Sequence, residues 1–270
     1  MPAAITIQLQ TPTPLFFDEE WPLEARLLDI LQQANARLPQ RGQGDDLKPY
    51  ALSPLWRIQK KGEPVPRALG PAAYQWRVCL LDDALTAPFL QGLEATETLD
   101  LNGTPLAVGQ VSVERDTYAD LVRRAQARAE ARPARARRLG LEFMTPVVLY
   151  RSGLPLPLPD PVLVFRHYLS AWDTFAPREL WINFNLLDAV QYHVAPGEHR
   201  LETRHIRWKN KRTAAGFLGG VVYNVHRWQK LGAEFLGNLQ MLARFGVFCS
   251  TGEGATRGLG QTRLLKGRPK

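Results

Sequence analysis

Two cysteines in 270 residues, Cys79 and Cys249, have no C-x-x-C partner. That spacing excludes a disulfide framework and a thiolate zinc site, and predicts two buried, reduced thiols. No apolar run approaches the roughly 20 residues of a membrane span, and the N-terminal MPAAITIQLQTPTP lacks the basic-then-apolar order of a secretion signal. A soluble, cytoplasmic chain is expected. Histidine is scarce and one-sided: all five, His167, His193, His199, His205 and His226, lie in the second half. Three of them recur every six residues, but Pro196-Gly197 interrupts that stretch and no carboxylate or thiolate joins them at ligand spacing, so neither a metal nor another cofactor is expected.

Acid is the scarcer charge. The chain has 26 Asp and Glu against 34 Lys and Arg, a net +8, which favours an anionic partner, nucleic acid above all. The excess is concentrated. Residues 123–138 hold seven arginines and one acid, Glu130, and residues 200–212 hold six Lys or Arg and one acid, Glu202. A solvated helix face usually alternates signs, and these two segments barely do. Arg123, Arg124, Arg128, Arg132 and Arg135 are the candidate contacts in the first zone. In the second they are Arg204, His205, Arg207, Lys209, Lys211 and Arg212, with Trp208 among them to stack on a base. Trp56, Trp76, Trp172 and Trp181 sit in apolar patterns and are assigned to the core.

With 45% hydrophobic residues the chain can build a real core, and its length suits two domains of roughly 100–150 residues. ITIQLQ alternates as a half-buried strand, and Leu23, Leu27, Leu28, Ile30 and Leu31 recur at helical spacing. PYALSPLWRIQ and AAYQWRVCLLD read as strands, residues 83–93 as a short helix behind a capping aspartate, and Asn102-Gly103 as the turn of a hairpin. A helical, arginine-laden connector over 116–138, broken at Pro133, then separates an N-terminal domain (1–115) from a C-terminal one (139–270). The second half restarts the order: LEFMTPVVLY a strand, 162–172 a helix, ETRHIRWKNKR and TAAGFLGGVVYNV two strands about a basic turn, 233–245 a helix, QTRLLK a last strand. Two successive βαββαβ units predict an α+β chain of tandem ferredoxin-like domains.

Four glycines, Gly252, Gly254, Gly258 and Gly260, stand within nine positions of STGEGATRGLG, together with Arg257. Such a segment allows close backbone approach and an anion-binding nest of amides. It follows a helix and precedes a strand, the reverse of a dinucleotide fingerprint, and no Gly-Lys-Ser/Thr follows to make a phosphate loop. A tight bend feeding an edge strand is the alternative reading.

This glycine segment resembles the C-terminal signature of the CRISPR-associated endoribonucleases of the RAMP superfamily, which process precursor CRISPR RNA. Three further strings stand in the matching order. Lys48-Pro-Tyr-Ala-Leu-Ser53-Pro-Leu55 is similar to the family's K-P-[FY]-x-x-S-P-L. Leu141-Glu-Phe143-Met-Thr145-Pro146 is similar to L-x-F-x-T-P, and residues 204–216 followed by Phe217-Leu-Gly-Gly220 are similar to its basic hairpin. The arginine-rich helix and histidine-poor centre are similar to the type IV form. The resemblance implies binding of a CRISPR repeat RNA hairpin and a metal-independent cut in which the ribose 2′-hydroxyl attacks the adjacent phosphate. It also implies a product that stays bound, with other subunits of a CRISPR effector complex as partners.

Such a reaction needs a base, an acid and cations for the phosphorane charge. Family members often carry a histidine on the first helix or before the K-P-[FY] strand, and this sequence has none there. Two readings follow. In one, Lys48 acts with Arg26 and Arg41 as a cationic clamp, with Tyr50 as a further candidate. In the other, the chain binds RNA without cutting it.

Overall fold

The computed structural model describes residues 1–12, 22–38, 47–57, 72–207, 212–265, 267 and 269. They form two compact units, one of Met1–Arg115 with Ala255–Gly258, the other of Asp116–Gly254 with Leu259–Lys270.

In the first unit, β1 (Ala3–Thr11) alternates as its sequence dictates, with Ile5, Ile7 and Leu9 fully buried. Helix α1 (Leu23–Gln33) packs on the sheet through Leu23, Leu27, Ile30 and Leu31. Next come β2 (Tyr50–Leu52), β3 (Trp56–Arg57) and β4 (Ala72–Leu80). The Asp82 carboxylate accepts from the Ala84 amide at 2.9 Å, capping the turn that opens α2 (Thr86–Glu94). β5 (Thr98–Leu101) and β6 (Thr104–Arg115) meet at Asn102 and Gly103, whose φ of 53° and 81° are those of a two-residue hairpin turn. The strand order is β2-β4-β1-β6-β5, all antiparallel, with β3 also paired to β4. β1, β2, β4 and β6 form the ferredoxin-like sheet, and β5 is an extra edge strand.

The second unit opens with α3 (Tyr118–Ala131) and α4 (Pro133–Ala136), the latter starting at the expected proline. β7 (Arg138–Val147), the small hairpin β8 (Tyr150–Arg151) and β9 (Leu154–Pro155), α5 (Pro161–Phe175) and α6 (Leu186–His193) follow. Then come β10 (Val194–Arg207), β11 (Thr213–Val225), α7 (Gly232–Cys249) and β12 (Thr262–Leu264). The sheet order β10-β11-β7-β12 repeats the topology of the first unit.

The arginine-laden segment is part of this unit. Tyr118, Leu121, Ala125 and Ala129, spaced by three or four, bury one stripe of α3, and the helix packs along α7. Tyr118 meets Trp172 edge-on at 5.1 Å, and Gln126 Nε2 donates to Asn238 Oδ1 at 2.9 Å. Trp76 and Trp172 are fully buried as expected, but Trp181 is 50% exposed. It lies past the end of α5, where its indole donates to the Ala176 carbonyl at 3.3 Å and Arg178 sits 5.6 Å from its ring.

His167, on α5, has an enclosed Nε2 with no hydrogen-bond partner, and burial lowers its pKa to about 4. The folded state therefore holds the ring neutral. Stability is full above the unfolded pKa of about 6.5 and falls as the pH drops toward 4, because the unfolded chain binds the extra proton. The expected loss is at most about 3 kcal/mol at pH 4. Urea titrations across this range check it; a His167→Phe variant should flatten the slope, and an unchanged slope would refute the assignment.

Candidate nucleic-acid interface

The glycine-rich segment is a shaped element whose four glycines all take positive φ: 78° at Gly252, 85° at Gly254, 83° at Gly258 and 65° at Gly260. Its base belongs to the second unit. The Thr251 amide donates to the Gly260 carbonyl at 2.8 Å and the Gly260 amide to the Pro146 carbonyl at 2.9 Å, so the two ends are tied together and to β7. Behind them runs a buried hydroxyl chain. Tyr168 Oη lies 2.5 Å from Thr251 Oγ1, which lies 2.7 Å from Thr262 Oγ1. The Gln261 amide donates to Thr145 Oγ1 at 2.9 Å. The tip, a helical turn over Ala255–Arg257, clusters with the first unit beside β2 and α1. A Cβ on Gly258 would stand 3.0 Å from the Pro54 nitrogen.

The first-unit candidates sit on neighbouring elements: Arg26 on α1, Lys48 just before β2 and Arg257 on the turn beside them. Arg26 pairs with Asp29 at 3.1 Å, while Lys48 is half-buried and Arg257 exposed. Tyr50 is only 3% exposed, and its hydroxyl donates to Glu24 Oε1 at 3.0 Å. Burial first, then the Glu24 carboxylate, raises its pKa. A phenol held this way is a strut between β2 and α1, with its proton engaged by Glu24 and harder to remove. Arg41 lies outside the described residues.

Along α3 and α4 the arginines lie outside the buried stripe, Arg124 and Arg128 flanking it. Arg123 pairs with Asp120 at 2.5 Å and Arg124 with the buried Asp116 at 2.7 Å, while Arg128, Arg132 and Arg135 are exposed. The second zone forms the end of the β10–β11 hairpin, where Arg204, His205 and Arg207 stand exposed opposite Gly216, Ala215 and Thr213. Trp208, Lys209 and Lys211 lie outside the described residues. Arg212 lies over the Tyr150 ring at 4.9 Å and 3.5 Å from Glu253, linking the hairpin to the glycine segment. The three spaced histidines do not converge: His193 ends α6, a bulge separates Pro196 from His199, and His199 Nδ1 lies 2.9 Å from the Gly197 carbonyl oxygen. Among the described residues no group of three His, Cys, Asp or Glu could hold a metal ion.

Residues 141–262 match the family model described as CRISPR-associated endoribonuclease Cas6. Over that segment the chain is similar to the Cas6 family. A Cas6 product complex superposes with a TM-score of 0.76 at 22% identity, covering 98% of this chain and 100% of that one. Thermus thermophilus Cas6 gives 0.65 at 20% identity, covering 98% of each. A RAMP protein binding different RNA substrates gives 0.57 at 10% identity, covering 98% and 100%. At these identities the likeness is one of fold, tandem ferredoxin-like domains. No curated protein matches the sequence.

The Cas6-like strings have structural work here. Ser53 Oγ accepts from the Arg77 amide and donates to the Pro54 carbonyl, both at 2.8 Å, fixing the chain on which Gly258 rests. Thr145 and Pro146 hold Gln261 and Gly260. Sequence reasoning missed Glu24, Asp116 and Glu253. Each is an acid within or beside a basic stretch, and only its packing partner shows its part.

Proposed function

We propose that this chain binds a CRISPR repeat RNA and cuts it by attack of a ribose 2′-hydroxyl on the adjacent phosphate. The new bond joins the 2′-oxygen to phosphorus and the bond to the 5′-oxygen breaks, leaving a 2′,3′-cyclic phosphate and a 5′-hydroxyl once the leaving oxygen takes a proton. The observation that carries this reading is the Cas6 family match over 141–262, which contains both the basic hairpin and the glycine segment. Arg26, Lys48, Arg257 and the Arg41 of the sequence would supply cations for the charge that develops on the phosphorane; arginine stays protonated, so it stabilises rather than takes the proton. The metal-independent course follows from the family resemblance. The product stays bound through the two cationic zones, making the chain a subunit of a larger RNA-guided assembly.

A second reading, a subunit that holds CRISPR RNA without cutting it, is favoured by two observations: there is no histidine before His167, and Tyr50 is engaged by Glu24. Incubation with the cognate repeat in EDTA separates the two. Cleavage with a cyclic phosphate on the 5′ fragment is expected. Tight binding of intact RNA would establish the second reading, and a requirement for magnesium would overturn the mechanism.

A further inference from the structure

Where α3 crosses α7, side chains that sequence keeps far apart enclose a cavity of about 230 Å³. Its polar walls are Asp116, Arg124 and Arg128 from one side and Gln240 and Arg244 from α7, with Leu264 of the edge strand β12 as an apolar wall. All lie in the second unit. Asp116 is 5% exposed, and its two oxygens face different guanidiniums, Arg124 Nη1 at 2.7 Å and Arg244 Nη2 at 3.7 Å. One carboxylate thus orients two arginines. Arg128, one helical turn beyond Arg124, adds a third guanidinium to the same cavity. Gln240 Nε2 donates to the Ala136 carbonyl at 2.7 Å, which fixes that wall.

Three guanidiniums and one carboxylate line a space that, at roughly 30 Å³ per water, holds several waters. We propose that this cavity is a binding site for one phosphate group of an RNA strand, with Arg128 and Arg244 as its main ligands and Asp116 as the residue that presets Arg124 and Arg244. Guanidinium forks match phosphate oxygens in paired, charge-assisted hydrogen bonds, and arginines already held in place lose little freedom on binding. The strand is favoured over a free anion because the exposed Arg132 and Arg135 continue the cationic surface just beyond Arg128. That source rests on the RNA-binding reading above.

The test uses the full chain and two variants, Arg244→Gln and Arg128→Gln, the second, at an exposed side chain, guarding against misfolding of the first. Repeat RNA binding is measured across salt concentrations, and thermal unfolding is followed with and without inorganic phosphate at constant ionic strength. Each variant is expected to bind RNA about tenfold more weakly. Its salt dependence should be shallower by a log-log slope of about 0.7–0.9, and it should lose the phosphate-induced rise in melting temperature. A lost phosphate effect with unchanged RNA affinity and slope would identify a free-anion pocket and overturn the RNA assignment. Unchanged behaviour in both measurements would overturn the site altogether. A wild-type chain that binds no RNA would instead refute the proposed function, a result visible before any variant is made.

Discussion

Replacing Gly260 by valine is expected to lower the melting temperature of the full chain by about 8–16 °C, corresponding to about 4 kcal/mol. The backbone at Gly260 has φ +65°, and a Cβ there would lie 1.9 Å from the Thr251 carbonyl oxygen and 2.8 Å from its carbon. Neither atom can yield, because that peptide joins the base of the segment to the hydroxyl chain behind it and the neighbouring Thr251 amide is bonded back to Gly260. Gly103 is the control. It also has positive φ, 81°, but nothing lies within 4 Å of an added Cβ, so Gly103→Ala should cost only about 1 kcal/mol. Comparable melting temperatures for Gly260→Val and the parent would show that the segment is a replaceable spacer.

Changing Arg128, Arg132 and Arg135 together to glutamine is expected to weaken repeat RNA binding at low salt by about a hundredfold or more. The log-log salt slope should become shallower by about 2 to 3, since three phosphate contacts are removed. All three are exposed and lie outside the buried stripe of α3, so the fold should survive. An RNA duplex hides its bases in a deep, narrow groove, so a helix of this kind grips phosphates by shape and charge, and structured RNAs should suffer alike. Salt titrations with the repeat and an unrelated hairpin check both points. Identical slopes for parent and triple variant would make α3 solvated surface and leave the binding to the β10–β11 hairpin.

Much of the architecture is legible in the amino-acid order. Alternation over Ile5 to Gln10 set β1, the leucine and isoleucine spacing set the buried face of α1, and Asn102-Gly103 set the hairpin turn, because each depends on side-chain period or on φ within a few residues. The glycine segment was legible for the same reason: four positive φ angles within nine positions need glycine, or a strained residue, whatever lies around them. The extra strand β5 was legible only as half of a hairpin, and its place at the sheet edge was not. Local pattern also failed for Trp181, whose apolar neighbours suggested core while the turn after α5 leaves it half exposed.

What the amino-acid order determined by itself was therefore the elements, the repeated βαββαβ order, the two basic zones and the family strings. Tertiary structure alone decided which charges are engaged. Asp116 reaches Arg244 only because an alanine-lined stripe brings α3 against α7; Glu24 meets Tyr50 only because α1 lies over β2; Glu253 faces Arg212 only because the glycine segment folds back beside the hairpin. Charge sums and periodicities are properties of the chain. An ion pair or a buried phenol depends on distances of a few ångströms between residues far apart in sequence, and packing sets those distances.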